Sequence, residues 1–154
     1  MPNNQNNPPK YVSALEEGQI KRAVQLWLNS CPDKPKDKLS YNYHGENSGL
    51  FLVPMNAPYI VRGPYILGGY EAQYQFSVDY LLQAANDDER MAADEALERV
   101  AEWAKENLDL LVAEDSSIRV KRIQRDTPAI PIDMLQSGSE VHSINLSIFY
   151  EVNV

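Results

Sequence analysis

One cysteine, Cys31, stands in a chain of 154 residues. An internal disulfide and a Cys-based zinc cluster are thereby excluded, and an intracellular setting is the expectation. No apolar run approaches the roughly 18 residues of a membrane-spanning helix. The first ten residues lack the apolar core of a signal peptide, so a membrane or secreted protein is not expected. Basic residues are few: 14 Lys and Arg against 22 Asp and Glu leave a net charge of −8. A free-standing DNA-binding domain carries a basic footprint, so DNA binding is not expected as the main activity. There are two histidines, His44 and His142, and neither has metal-site spacing. The His-Glu-x-x-His, Walker A and Gly-x-Ser-x-Gly patterns are absent. His44-x-Glu46 lacks the Pro-Cys-x-x-Cys that completes a zinc deaminase. Cys31 lies on an apolar helical stripe, which suits a buried thiol better than an activated one. Asp79 falls on the polar side of a strand, where a solvated carboxylate is expected. The reading is no catalytic residue, no metal ligand and no cofactor.

What is present suits one domain. Hydrophobic residues make up 44% of the chain and charged residues 23%, enough to bury a core without staples. Residues 1–10 are polar and Pro-rich, a flexible N-terminal arm. Residues 11–154 read as a single α+β domain.

Ser13 and Glu16 fit a capping box, S-x-x-E. Ile20, Val24, Trp27, Leu28 and Cys31 follow at helical spacing, and Pro32 stops the helix. Leu39, Tyr41 and Tyr43 alternate with polar residues. Residues 45–49 are turn chemistry and residues 50–53 are apolar, so a β-hairpin is predicted. Residues 54–69 hold three prolines and three glycines beside Met55, Tyr59, Ile60, Val61, Tyr65, Ile66 and Leu67. The reading is an apolar loop or long hairpin that projects and is covered by something else; the alternative is an irregular edge strand.

Residues 70–83 alternate apolar and polar, a strand of up to about 46 Å at ~3.3 Å per residue. Asn86 or Asp87 caps a second helix whose buried stripe is Ala93, Leu97, Val100, Ala104 and Leu108, ending near Asn107. Ile118, Val120 and Ile123 mark a strand, residues 127–138 a loop, and residues 144–154 a last strand. No Gly-rich βαβ crossover appears. The expected architecture is a mainly antiparallel sheet with both helices on one face.

Two groups stand out as contact residues. Met55, Tyr59, Ile60, Arg62, Tyr65 and Ile66 carry the residue types enriched at interfaces. Arg119, Lys121, Arg122 and Arg125 put four of the 14 basic residues within seven positions. That cluster reads either as a charged edge that blocks strand pairing or as a seam to an acidic neighbour. A second copy fits, because the second helix opens on Asp87-Asp88-Glu89, and contacts between unlike patches generate rings.

Three segments carry a resemblance. Gly68-Gly69-Tyr70-Glu71-Ala72-Gln73-Tyr74-Gln75-Phe76-Ser77-Val78-Asp79-Tyr80 is followed by an acidic-capped helix, Asp88-Glu89-Arg90-Met91-Ala92-Ala93-Asp94 to Trp103-Ala104. The chain then closes on residues 144–152. This resembles the "minor capsid" neck proteins of long-tailed phages and prophages of Gram-positive bacteria, and the element order is similar to the tail terminator fold. The resemblance covers about residues 11–154 and implies a structural virion protein of the tail-neck, assembled in the host cytoplasm. Tail terminators form a six-fold ring that caps the tail tube, stops its growth and joins it to the head. The implied partners are further copies of the chain, the tail tube protein and a head-completion protein. Genomic DNA passes through the lumen without specific binding, and no membrane is involved. On this reading the two contact groups face the tube or the neighbouring subunit. A head-closure or connector protein is the alternative within the class. A cytoplasmic small-ligand-binding α+β module, with a pocket around His44, Glu46 and Asp79, is the alternative outside it.

Overall fold

A computed structural model describes residues 9–41 and 48–153. Residues 1–8 of the expected arm, and the expected turn with His44 and Glu46, fall outside the described residues. The elements are α1 (Ala14–Asn29), β1 (Leu39–Tyr41), β2 (Gly49–Pro54), β3 (Tyr59–Arg62), β4 (Tyr70–Leu82), α2 (Asp87–Glu106), a 3-10 turn (Leu108–Leu110), β5 (Ile118–Arg125), β6 (Ile130–Met134) and β7 (Glu140–Val152). The architecture is α+β, with a mixed seven-stranded sheet in the order β1-β2-β4-β7-β5. β3 adds to the free stretch of β4, and β6 to the free stretch of β7.

The spine is the β4–β7 pair. It is antiparallel and in register over its whole length, from Tyr70↔Val152 to Leu82↔Glu140. Alternation sets the faces. Ala72, Tyr74, Phe76 and Val78 on β4 and Ile144, Leu146, Ile148 and Tyr150 on β7 bury with both helices in one core cluster. Ile20, Val24 and Leu28 on α1 and Leu97 on α2 are essentially unexposed in that cluster, and each such side chain contributes about 1.5–3 kcal/mol. The helices meet through Trp27 and Trp103, whose ring centroids are 5.6 Å apart. The Trp27 indole donates to the Asn107 carbonyl at 2.9 Å, which fixes the end of α2.

Both N-caps follow the sequence. Ser13 Oγ accepts from the Glu16 amide at 3.2 Å, and Asn86 Oδ1 accepts from the Glu89 amide at 3.0 Å. The expected capping box is only half made, because the Glu16 carboxylate is used elsewhere. It accepts from the Tyr70 hydroxyl and from the Tyr150 hydroxyl at 2.7 Å. Two phenols on the helix-covered side of the sheet would otherwise lack a partner, which costs more than an open cap at a solvated helix end.

Three expectations are corrected. The predicted hairpin is not formed by β1 and β2: β1 runs parallel to β2, with Leu39 opposite Leu50. Asn29 anchors the start of β1. Its side chain accepts from the Leu39 amide at 2.7 Å and donates to the Leu39 carbonyl at 2.9 Å. That clamp holds the start of β1 at the end of α1, where Leu39 and Leu50 enter the core together. Residues 127–138 are not a plain loop, because they contain β6. Asp79 is not solvated. It is 3% exposed, and its Oδ1 accepts from Ser77 Oγ at 2.8 Å and Ser143 Oγ at 2.6 Å. The far side of β4 is therefore partly a second core, in which Phe51, Leu81 and Val141 pack together.

Candidate functional site

Most of the interface residues expected from the sequence fall on β3 and the turn that joins it to β4. β3 pairs with the start of β4, Tyr59↔Gln73 and Ile60↔Ala72, so part of the predicted loop is an edge strand. Its outer side is covered by the chain's own residues 10–12: the Ile60 amide donates to the Lys10 carbonyl at 2.8 Å, and the Val12 amide to the Pro58 carbonyl at 3.1 Å. Tyr59 and Ile60 are half-buried. The Tyr59 hydroxyl donates to Gln73 Oε1 at 3.0 Å, and burial pushes the phenol pKa up. These two residues thus belong largely to the chain's own packing.

The turn behaves differently. Residues 63–69 form an ordered tip, in which the Tyr65 amide donates to the Gly69 carbonyl at 2.9 Å and the Gly68 amide to the Tyr65 carbonyl at 3.0 Å. Gly69 holds φ +85°, and a Cβ there would lie 2.6 Å from the Val152 carbonyl oxygen. The tip is therefore braced against the last residues of β7. On it, Ile66 and Leu67 are fully exposed and Tyr65 is exposed to 36%; Met55, exposed to 54%, lies apart, in the connection between β2 and β3. Arg62 extends beside the tip with its Nε 3.9 Å from Glu71. The contact group expected from the sequence includes Ile66 and not Leu67, although both belong to the apolar segment read there.

The basic group is spread along β5, mostly in pairs within the chain. Lys121 Nζ lies 3.2 Å from Glu151. The Arg122 guanidinium lies over the Phe149 ring, 3.7 Å from its centroid, with an amine nitrogen 3.8 Å from Glu71. Arg125 pairs with Glu98 of α2 and helps hold that helix to β5. Arg119 is exposed and carries no ion pair among the described residues. Arg62, Arg119, Lys121 and Arg122 thus share one end of the β4–β7 pair with Glu71 and Glu151, and Arg125 stands apart.

Two features escaped sequence reasoning altogether. The first is β6, whose five residues are all exposed. Ile130, Ile132 and Met134 stand 47%, 55% and 63% in water. Their period-two spacing was the available signal, and Pro131 masked it. The second is a partly buried polar network at the other end of the sheet, centred on His142. His142 is unexposed. Its Nδ1 lies 2.7 Å from Asp94 of α2, and its Nε2 lies 3.1 Å from Glu140. Glu140 in turn accepts from Arg90 Nε at 2.6 Å, and the Arg90 guanidinium first, then His142, holds the Glu140 carboxyl below the usual carboxylate range. Both ring nitrogens are occupied and the imidazole is closed to solvent, so the network ties α2 to the start of β7. No spacing rule reveals it, since its members meet only through tertiary packing.

Chemistry elsewhere is sparse. Cys31 is unexposed, and burial pushes its thiol pKa up, which leaves it unreactive. Among the described residues, no group of three or more His, Cys, Asp or Glu is placed to hold a metal ion. A cleft of about 290 Å³ between α2 and β5 is edged by Glu98, Glu102, Lys105 and Arg125 over Ala101 and Ile123, a mixed-charge rim with no convergent polar set. No described helix is long and apolar enough to cross a membrane.

No protein-family model matches the chain, and no curated protein matches it. The chain is similar to a solved structure over 91% of its own length and 94% of the other chain, at 16% identity and a TM-score of 0.36.

Proposed function

We propose that this chain is the tail terminator of a long-tailed phage, a structural subunit whose copies form a ring that caps the tail tube and joins it to the head. The observation that carries the reading is the tip at residues 63–69. It is ordered by its own hydrogen bonds and braced on β7, yet it holds Ile66 and Leu67 wholly in water. A rigid apolar projection is the expected form of a contact whose partner is another protein. The partner on this reading is the tail tube or the adjacent subunit. The acidic chain suits a conduit for DNA, because a wall of net negative charge repels phosphate and leaves the genome free to slide.

Replacing Ile66 and Leu67 together by Asp tests this. The purified variant should keep its far-ultraviolet circular dichroism, since neither side chain is in the core. Particles assembled with it should have tails of uncontrolled length and unattached heads. Tails of normal length joined to heads would contradict the reading. Tails of normal length beside unjoined heads would move the chain to the head side of the neck, as a closure or connector protein.

A further inference from the structure

The β4–β7 pair gives the molecule two distinct ends, about 40 Å apart at ~3.3 Å per residue. At one end is the 63–69 tip, ahead of Tyr70. At the other is β6, which pairs with β7 only at Glu140–Ser143 (Ile130↔Ser143 to Met134↔Glu140). Each end carries large apolar side chains in water: Ile66 and Leu67 at the first, Ile130, Ile132 and Met134 at the second. The flanking charges differ in sign. Around the tip, Arg62, Arg119, Lys121 and Arg122 stand with Glu71 and Glu151, while Glu16 and Asp115 at the same end are bonded to Tyr70 and Tyr150 and to Ser117. Around β6, Asp133 and the opening turn of α2, Asp87, Asp88 and Glu89, are exposed, and Arg90 is committed to Glu140 and Asp87. β6 also keeps one edge unpaired among the described residues.

We infer that β6 is the docking surface for a second copy of this chain, and that it receives the neighbour's 63–69 tip. This inference rests on the ring reading above and names the surface that closes it. Apolar side chains meet apolar side chains, and the acidic surround of β6 faces the basic surround of the tip. The two patches are unlike and lie at opposite ends, so the contact is head-to-tail. One copy's tip fills the next copy's β6 and leaves its own β6 open, which is the geometry of a ring or a filament and not of a closed dimer. Pro131 fits this use. It removes a backbone donor from the exposed edge, so β6 engages through side chains and is protected from indiscriminate strand pairing.

Pairwise cross-linking distinguishes this contact from others. Ile66→Cys and Ile132→Cys are made separately in the full chain; Cys31 is buried and stays silent. Both altered sites are exposed, so native circular dichroism is expected of each. The mixture should form a disulfide-linked dimer under mild oxidation, and neither variant alone should do so. Cross-linking of either variant with itself would mean a like-with-like contact and would overturn the inference. No cross-link in the mixture would overturn it as well. As a second readout, Asp133→Arg should weaken self-association at least tenfold, and Arg62→Asp in the partner chain should restore it. Absence of that rescue would count against the charge pairing. Failure of either test leaves the tail-length experiment untouched, so the two proposals fall separately.

Discussion

Glu16 carries two jobs that the sequence presents as one. Its position three residues after Ser13 reads as a capping box, but its carboxylate receives the Tyr70 and Tyr150 hydroxyls and docks α1 on the sheet. Burial first, and the carboxylate second, push both phenol pKa values well up. Glu16→Gln offers one acceptor where two are needed and should cost about 1–3 kcal/mol, the range for a polar group left unpaired, measured by urea unfolding. A loss within error would mean that the phenols have other partners. Glu140 supplies a pH test. Its carboxyl is held low by Arg90 and then by His142, so its contribution is complete above the ordinary Glu value of about 4.3. That contribution disappears as pH falls through the lower folded-state value. The stability advantage of the native chain over Glu140→Gln should therefore vanish in acid. An advantage unchanged from pH 7 to pH 2 would refute the ion pair. Neither this network nor the burial of Asp79 was legible in the sequence. Both depend on which strands become neighbours, and alternation alone reports a face without saying what covers it.

The long elements declared themselves and the short ones did not. β4 and both helices follow from periodicity and caps, because each buries one continuous stripe in a common core. The sequence suggests a hairpin for β1 and β2 because residues 45–49 have turn chemistry, whereas the start of β1 is anchored by the Asn29 side chain ten residues upstream of Leu39 and the pairing is parallel. β6 was missed because it has no buried face at all, and periodicity finds strands only through the side they hide. The bracing of the tip is testable at this scale. Gly69→Ala meets the Val152 carbonyl oxygen at 2.6 Å as well as an unfavourable φ of +85°, whereas Gly138→Ala, at φ +90°, meets nothing within 4 Å. Both should destabilise by about 1–3 kcal/mol from backbone strain, with Gly69→Ala the larger loss and with assembly impaired in it alone. Equal losses in thermal unfolding would mean that the tip is not held against β7.

At the scale of the whole molecule, the α+β class and the placing of both helices on one side of the sheet were legible, since they follow from summed patterns. The proposed assembly surface was half legible. The sequence marked the tip and the basic strand, and the structure adds β6 and separates Arg125, which pairs with Glu98 inside the chain, from the cations at the far end. Exposed ion pairs such as Lys121–Glu151 contribute roughly 0–1 kcal/mol to folding, so those cations are available to a neighbour at little cost to stability. Their role should show as self-association that weakens with added salt. Association independent of salt would assign the contact to apolar surface alone. The central claim, that this chain ends a phage tail, is tested most directly by deleting its gene and imaging the induced particles by negative-stain electron microscopy. The account predicts tails of uncontrolled length lying free of filled heads. Normal, infectious particles would contradict it.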